Sequence, residues 1–213
     1  MRRVALAFSI VLLWACAQRD NPFDPSNSSG NRVIDTGYKP PQPSGQIRVV
    51  LPDSAGRSSD YYGNIQAALA DLNPGDTLYV QGGHGRTYAI SGLLRISHGG
   101  VRLLPVVIRS FGGEARILAR SSVPNCLRID QGWVHLSGFA FVGSQGPAII
   151  ASGVTGDVQI DSCRADSSGA GMDLRDMYGR LRLRDISMTG DTLNPPFTFL
   201  NDTGLDTSRL SWR

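Results

Sequence analysis

Val134-His135-Leu136-Ser137-Gly138-Phe139-Ala140-Phe141-Val142-Gly143 contains two short apolar alternations separated by a glycine. Val134 and Leu136 flank a polar residue, and Phe139 and Phe141 flank a small one. The pattern returns as Val158-Gln159-Ile160 with Cys163 and Ala165, and again as Leu181-Arg182-Leu183 with Ile186 and Met188. Upstream, Leu78-Tyr79-Val80 and Val106-Val107-Ile108 repeat the first triplet, so the triplets start at residues 78, 106, 134, 158 and 181. A third series, Leu127 and Ile129, then Ala148 and Ile150, then Met172 and Leu174, falls between them. Three short strands per repeat, joined by Gly, Ser and Asp turns, describe one coil of a parallel β-helix. Alternate residues point into its core, and no coil can bury its apolar face without its neighbours. Large Phe139 and Phe141 beside small Cys163 and Ala165 predict complementary filling of the stack. The expected fold is all-β, with about five rungs. A β-sandwich would need hairpin turns between neighbouring strands and would make the repeat accidental.

Composition agrees. The chain has 213 residues, 41% hydrophobic and 18% charged, which excludes a fully disordered protein. Its 25 glycines have no three-residue period, so they serve turns rather than a collagen helix. The only lysine is Lys39 and the only glutamate Glu114, which excludes a Glu pair or a lysine within the repeat as catalytic groups. The formal charge of +3 includes Arg2 and Arg3, so nothing calls for a nucleic-acid partner.

Before the first triplet, Asn64 to Leu72 places Ile65, Ala68, Leu69 and Leu72 on one helical face. Asn73-Pro74-Gly75-Asp76 ends this helix, Thr77 opens the first strand and Gly82-Gly83 breaks it. Together with Val106-Val107-Ile108-Arg109-Ser110-Phe111-Gly112-Gly113 and Val134 to Gly143, this stretch resembles the opening of pectate-lyase-like right-handed parallel β-helix domains. The resemblance covers roughly residues 47–190 and implies that the helix caps the coil. It does not specify activity, because the superfamily mixes lyases, hydrolases, epimerases, adhesins and inert proteins. Its lyases use a Lys or Arg base, often with Ca²⁺ held by acidic residues. Here only Arg is available, and no dense acidic cluster supplies the six to eight oxygens Ca²⁺ takes. No cofactor is therefore expected, with Ca²⁺ the one ion the resemblance would admit.

The N-terminus gives an address. Arg2-Arg3 precedes an apolar run, Val4 to Trp14, shorter than the roughly 20 residues that span a bilayer. Leu13-Trp14-Ala15-Cys16 resembles the lipobox of bacterial lipoproteins, with Trp14 an atypical residue. That likeness implies that Cys16 is acylated and becomes the mature terminus, and that Ala17 after it directs the protein to the outer membrane. Residues 1–16 are thus expected to be the signal and lipidated Cys. Residues 17–45, rich in Pro and Ser, form a spacer. Residues 46–190 form the β-helix, and 191–213 an irregular segment or cap. The expected partners are a membrane, through the anchor, and polysaccharide.

The middle residues of the triplets, Tyr79, Val107, His135, Gln159 and Arg182, should share one exterior sheet. Arg109, Ser137, Asp161 and Arg184 lie two positions further along their strands. Tyr79, His135, Gln159 and Arg182 are the candidate glycan contacts, because an aromatic ring, amide, imidazole and guanidinium suit sugar or uronate recognition. Asp161, Arg184 and Asp185 are the candidate acid and base groups. The same residues would also serve a merely solvated sheet in which Asp161 pairs with Arg184. His84, His98 and His135 lack zinc spacing. Cys126 is expected at a turn and Cys163 inward, an arrangement that does not indicate a disulfide.

Overall fold

The computed structural model describes residues 45–51, 61–83, 85–120, 122–190, 197–200 and 204–212. The leader with Cys16, and nearly all of the spacer, lie outside the described residues. The folded part is a parallel β-helix of three faces. Two short strands, β1 (Ile47–Val50) and β2 (Tyr61–Tyr62), pair beside the first turn, and α1 (Ile65–Ala70) follows. One turn is then β3 (Thr77–Gln81), β4 (Thr87–Ile90) and β5 (Leu94–Ile96). The next are β6 (Val106–Phe111), β7 (Ala115–Ala119), β8 (Leu127–Ile129), and β9 (Val134–Ser137), β10 (Phe139–Val142), β11 (Pro147–Ser152). They are followed by β12 (Val158–Asp161), β13 (Arg164–Ser168), β14 (Ala170–Arg175). After these, β15 (Arg180–Gly190) runs through the first and second faces as one strand, and β16 (Phe197–Leu200) occupies the third. Finally β17 (Gly204–Trp212) lies parallel to β15. Within the segment expected to be irregular or a cap, residues 197–200 and 204–212 are strands that continue the coil, and the rest of 191–213 lies outside the described residues. Sequence had missed these strands because Pro195-Pro196 interrupts the apolar alternation.

Inward residues form columns. Val106, Val134, Val158 and Leu181 are register partners, as are Ile108, Leu136, Ile160 and Leu183, and all eight are buried. On the second face, Phe139 and Phe141 pair with Ala115 and Ile117 on one side, and Phe141 with Ala165 on the other. Their rings stack at 6.0 Å between centroids. Ala115 beside Phe139 and Ala165 beside Phe141 make room for the two rings, a complementary filling of the core.

Two registers differ from the sequence expectation. Leu78 pairs with Ile108 rather than Val106. Over the whole coil the spacing is two residues longer than the triplets imply, and the turn before β6 is closed by an antiparallel bridge between Val101 and Leu104. On the third face the inward pair is Ile149 and Ala151, partners of Leu127 and Ile129, not Ala148 and Ile150. Ala148 is buried all the same, whereas Ile150 faces outward and is half-buried.

One corner is turned by a single residue per coil. Gly138, Ser162, Asp185 and Arg209 adopt φ values of 81°, 50°, 51° and 52° between the first and second faces. Left-handed backbone at three non-glycine positions is costly in isolation and is held here by the sheets on both sides. Elsewhere glycine is obligatory: a Cβ on Gly83 (φ 76°) would lie 2.0 Å from the carbonyl oxygen of Gly112, so the two Gly-Gly turns stack in van der Waals contact.

The helix closes one end. Asn64 caps it by accepting the Gln66 N–H at 2.8 Å, and the helix stops at Asp71, shorter than the expected Asn64–Leu72. Buried Ile65 and Leu69 share an apolar space with Leu94, Ile96, Ile108 and Ile117, so α1 shields the core of the first turns. Asp76, completely buried, ties this end together. Its carboxylate accepts from the Gln46 N–H (2.9 Å), the Asn73 N–H (3.0 Å) and Arg48 Nε (3.0 Å).

Candidate functional site

The first face, built from β1, β3, β6, β9, β12, β15 and β17, carries two exterior columns. One runs Ile47, Thr77, Val107, His135, Gln159, Arg182, Asp206. The other runs Val49, Tyr79, Arg109, Ser137, Asp161, Arg184, Ser208. Parallel strands place successive members about 4.8 Å apart. His135, Gln159 and Arg182 are thus immediate neighbours in one column. Tyr79 stands on the same exterior face but in the second column, moved by the two-residue register difference. There it sits beneath Arg109, whose guanidinium carbon lies 5.1 Å from the ring centroid. Phe111 meets Tyr79 edge-on at 6.2 Å. The apolar Val107 separates Thr77 from His135 in the first column.

Asp161 and Arg184 are register partners, but among the described residues no ion pair joins them. Instead the Gln159 amide donates to Asp161 Oδ2, while Asp161 Oδ1 is shielded from solvent and has no hydrogen-bond partner. A shielded carboxylate oxygen without a donor is unfavourable. Arg182 reaches Asp206 of the next turn at 3.2 Å. Arg184 is exposed and has no carboxylate partner among the described residues. Asp185 is separate from this group. It occupies the left-handed corner, and Arg209 binds both its oxygens at 2.6 and 2.7 Å. As a partner for Asp161 in acid/base chemistry it is therefore displaced and already engaged.

His135 is held below its ordinary pKa, chiefly by burial and further by Arg182, with Asp161 and Asp157 pulling the other way. At neutral pH its imidazole is uncharged and presents one donor and one acceptor. Cys126 and Cys163 are free and buried. Among the described residues no cluster of three or more His, Cys, Asp or Glu side chains could hold a metal ion.

The sequence reading missed Phe111 and Asp206 as members of this face. Phe111 follows two polar positions and precedes a glycine pair, and Asp206 lies beyond Pro195-Pro196, where the repeat pattern is interrupted.

No family model matches the sequence, and no curated protein matches it. A solved structure to which the chain is similar is a rhamnogalacturonan lyase, at 10% identity and a TM-score of 0.46. That likeness covers 79% of this chain and 63% of the lyase, so this chain spans less than two thirds of the lyase's length.

Proposed function

We propose that this protein is a membrane-tethered, extracytoplasmic β-helix that contacts polysaccharide through its first face. One observation carries the reading: a continuous strip across five adjacent strands that joins Tyr79 under Arg109 to His135, Gln159, Asp161, Arg182 and Arg184. The Tyr79 and Phe111 rings offer apolar surface for a sugar face. Neutral His135 and Gln159 offer hydroxyl partners, and the exposed Arg184 offers a fork for a uronate carboxylate. The tether follows from the lipobox-like Leu13 to Cys16.

A polysaccharide binding array, followed by calorimetry on the best ligand, tests the contact. Arg184→Ala should weaken binding by about 1.5–3 kcal/mol, the scale of a charge-assisted hydrogen bond, while leaving the unfolding midpoint unchanged. Unaltered affinity in both Arg184→Ala and Tyr79→Ala would reject the strip. Palmitate labelling that is abolished by Cys16→Ser is the expected outcome for the anchor, and labelling that persists would reject it.

The Asp161 carboxylate, close enough to His135 to act on its charge, favours a second reading, in which the strip also cleaves its ligand. In that case Asp161→Asn abolishes the release of unsaturated or reducing ends while binding survives.

A further inference from the structure

One apolar projection stands outside the strip. Between β5 and β6, Gly99-Gly100 leads into Val101-Arg102-Leu103-Leu104. The Val101 N–H donates to the Leu104 carbonyl at 3.1 Å and the Leu104 N–H to the Val101 carbonyl at 2.9 Å, which leaves Arg102 and Leu103 at the tip. The Leu104 carbonyl also accepts the Gly75 N–H at 3.0 Å, and the Gly100 N–H donates to Gly132 at 3.2 Å. The turn is thus pinned to the coil on both sides. Its side chains nevertheless stay in water, with Leu103 87% and Val101 47% exposed. A lone exposed leucine is ordinary. Three apolar residues in four, presented around an arginine on a pinned turn, have the amphipathic make-up of an interfacial contact.

Its position supplies the second argument. Gly75, bonded to Leu104, also lies close to Gly45: a Cβ on Gly75 would lie 3.5 Å from both Leu104 Cδ2 and the Gly45 nitrogen. Gly45 is the first described residue, and Ile47 two positions on is 61% exposed. The chain that leads from Cys16 therefore joins the coil beside the projection.

We infer that the Val101–Leu104 turn is a bilayer contact. Val101 and Leu103 insert at the boundary between headgroups and acyl chains, and Arg102 meets anionic headgroups. This inference rests on the anchored reading above. A stretch of the spacer's length can span up to about 100 Å, so an anchor at Cys16 does not by itself fix the domain's orientation. A weak second contact becomes effective once the anchor confines it near the surface, and it fixes the domain's orientation.

The test places a cysteine at Leu103, and as a control at Leu118 on the second face, in the full chain, and labels each with an environment-sensitive fluorophore. Buried Cys126 and Cys163 are shielded from the label, and the unsubstituted chain reports any labelling at Cys16. On vesicles of phosphatidylethanolamine and phosphatidylglycerol, the label at 103 should shift to the blue and be quenched by brominated acyl chains. The label at 118 should do neither. A chain that floats with vesicles while its label at 103 stays aqueous overturns the turn's role and leaves the anchor standing. A blue shift on vesicles in a chain that takes up no palmitate supports the turn and overturns the anchor. A blue shift without vesicles that grows with protein concentration assigns the turn to a second copy of the chain and overturns the inference.

Discussion

Asp76 shows how much one side chain can organise. It is completely buried, yet Gln46, Arg48 and Asn73 all donate to it, so the strand before the helix, the helix exit and the first turn meet on one carboxylate. Asp76→Ala would take from Arg48, also buried, the carboxylate that its Nε binds at 3.0 Å. Breaking such a pair costs about 3–5 kcal/mol, and urea unfolding should show a loss of that order. A loss below about 1 kcal/mol, the value of an exposed pair, would mean that water reaches the site. Cys163 makes a different prediction. Burial pushes its thiol from 9.0 up to about 12. The folded state therefore disfavours the thiolate, so the thiol's contribution to stability is complete below pH 9 and is lost as the pH climbs from 9 towards 12. The stability difference between the native chain and Cys163→Ala should shrink over that window and stay constant between pH 6 and 8. A difference that is flat throughout would place the thiol in contact with water.

At the scale of elements, the legibility of the sequence depends on parity. A net register difference of two residues between β3 and β6 moves Tyr79 one column along but keeps it outside, because side chains alternate with a period of two. A one-residue shift at β11 exchanges the faces, so Ile149 and Ala151 take the inward register positions and Ile150 turns outward, while Ala148 stays buried. That segment, Ala148 to Ala151, is apolar throughout, so its own pattern could not choose between the two registers. The β9, β12 and β15 segments alternate cleanly, and there the columns at His135, Gln159 and Arg182 were readable. Pairing within the strip was not readable, because whether Asp161 meets Gln159 or Arg184 depends on rotamers. The same register makes a stability prediction. Ile160 is fully buried between Leu136 and Leu183, so Ile160→Asp buries an unpaired charge and should abolish cooperative unfolding by circular dichroism. Gln159→Ala, one residue away on the outside, should keep the native melting curve. Like behaviour of the two would refute the register.

For the whole molecule, stacking converts a per-turn motif into a length. From β3 to β15 the strip crosses four strand spacings, about 19 Å at 4.8 Å each, with Tyr79 near one end and Arg184 at the other. The two residues touch no common partner, and their separation exceeds the range in which substitutions usually couple. A ligand must span that distance to engage both. Under the polysaccharide reading, affinity for size-fractionated oligosaccharides should therefore rise with chain length until the fragment covers the strip, and then level off. Fragments too short to span should lose affinity with either Tyr79→Ala or Arg184→Ala, whichever end they occupy. Spanning fragments should lose the sum of the two effects in the double variant. Charge adds a second signature, since Arg109, Arg182 and Arg184 lie on one face and the exposed Arg184 is screened by salt. The length dependence should thus be steeper at low ionic strength for a uronate polymer than for a neutral one. Titration calorimetry over a ladder of fragments at two salt concentrations measures both. Affinity independent of length would confine recognition to one or two turns and refute the strip as an extended site.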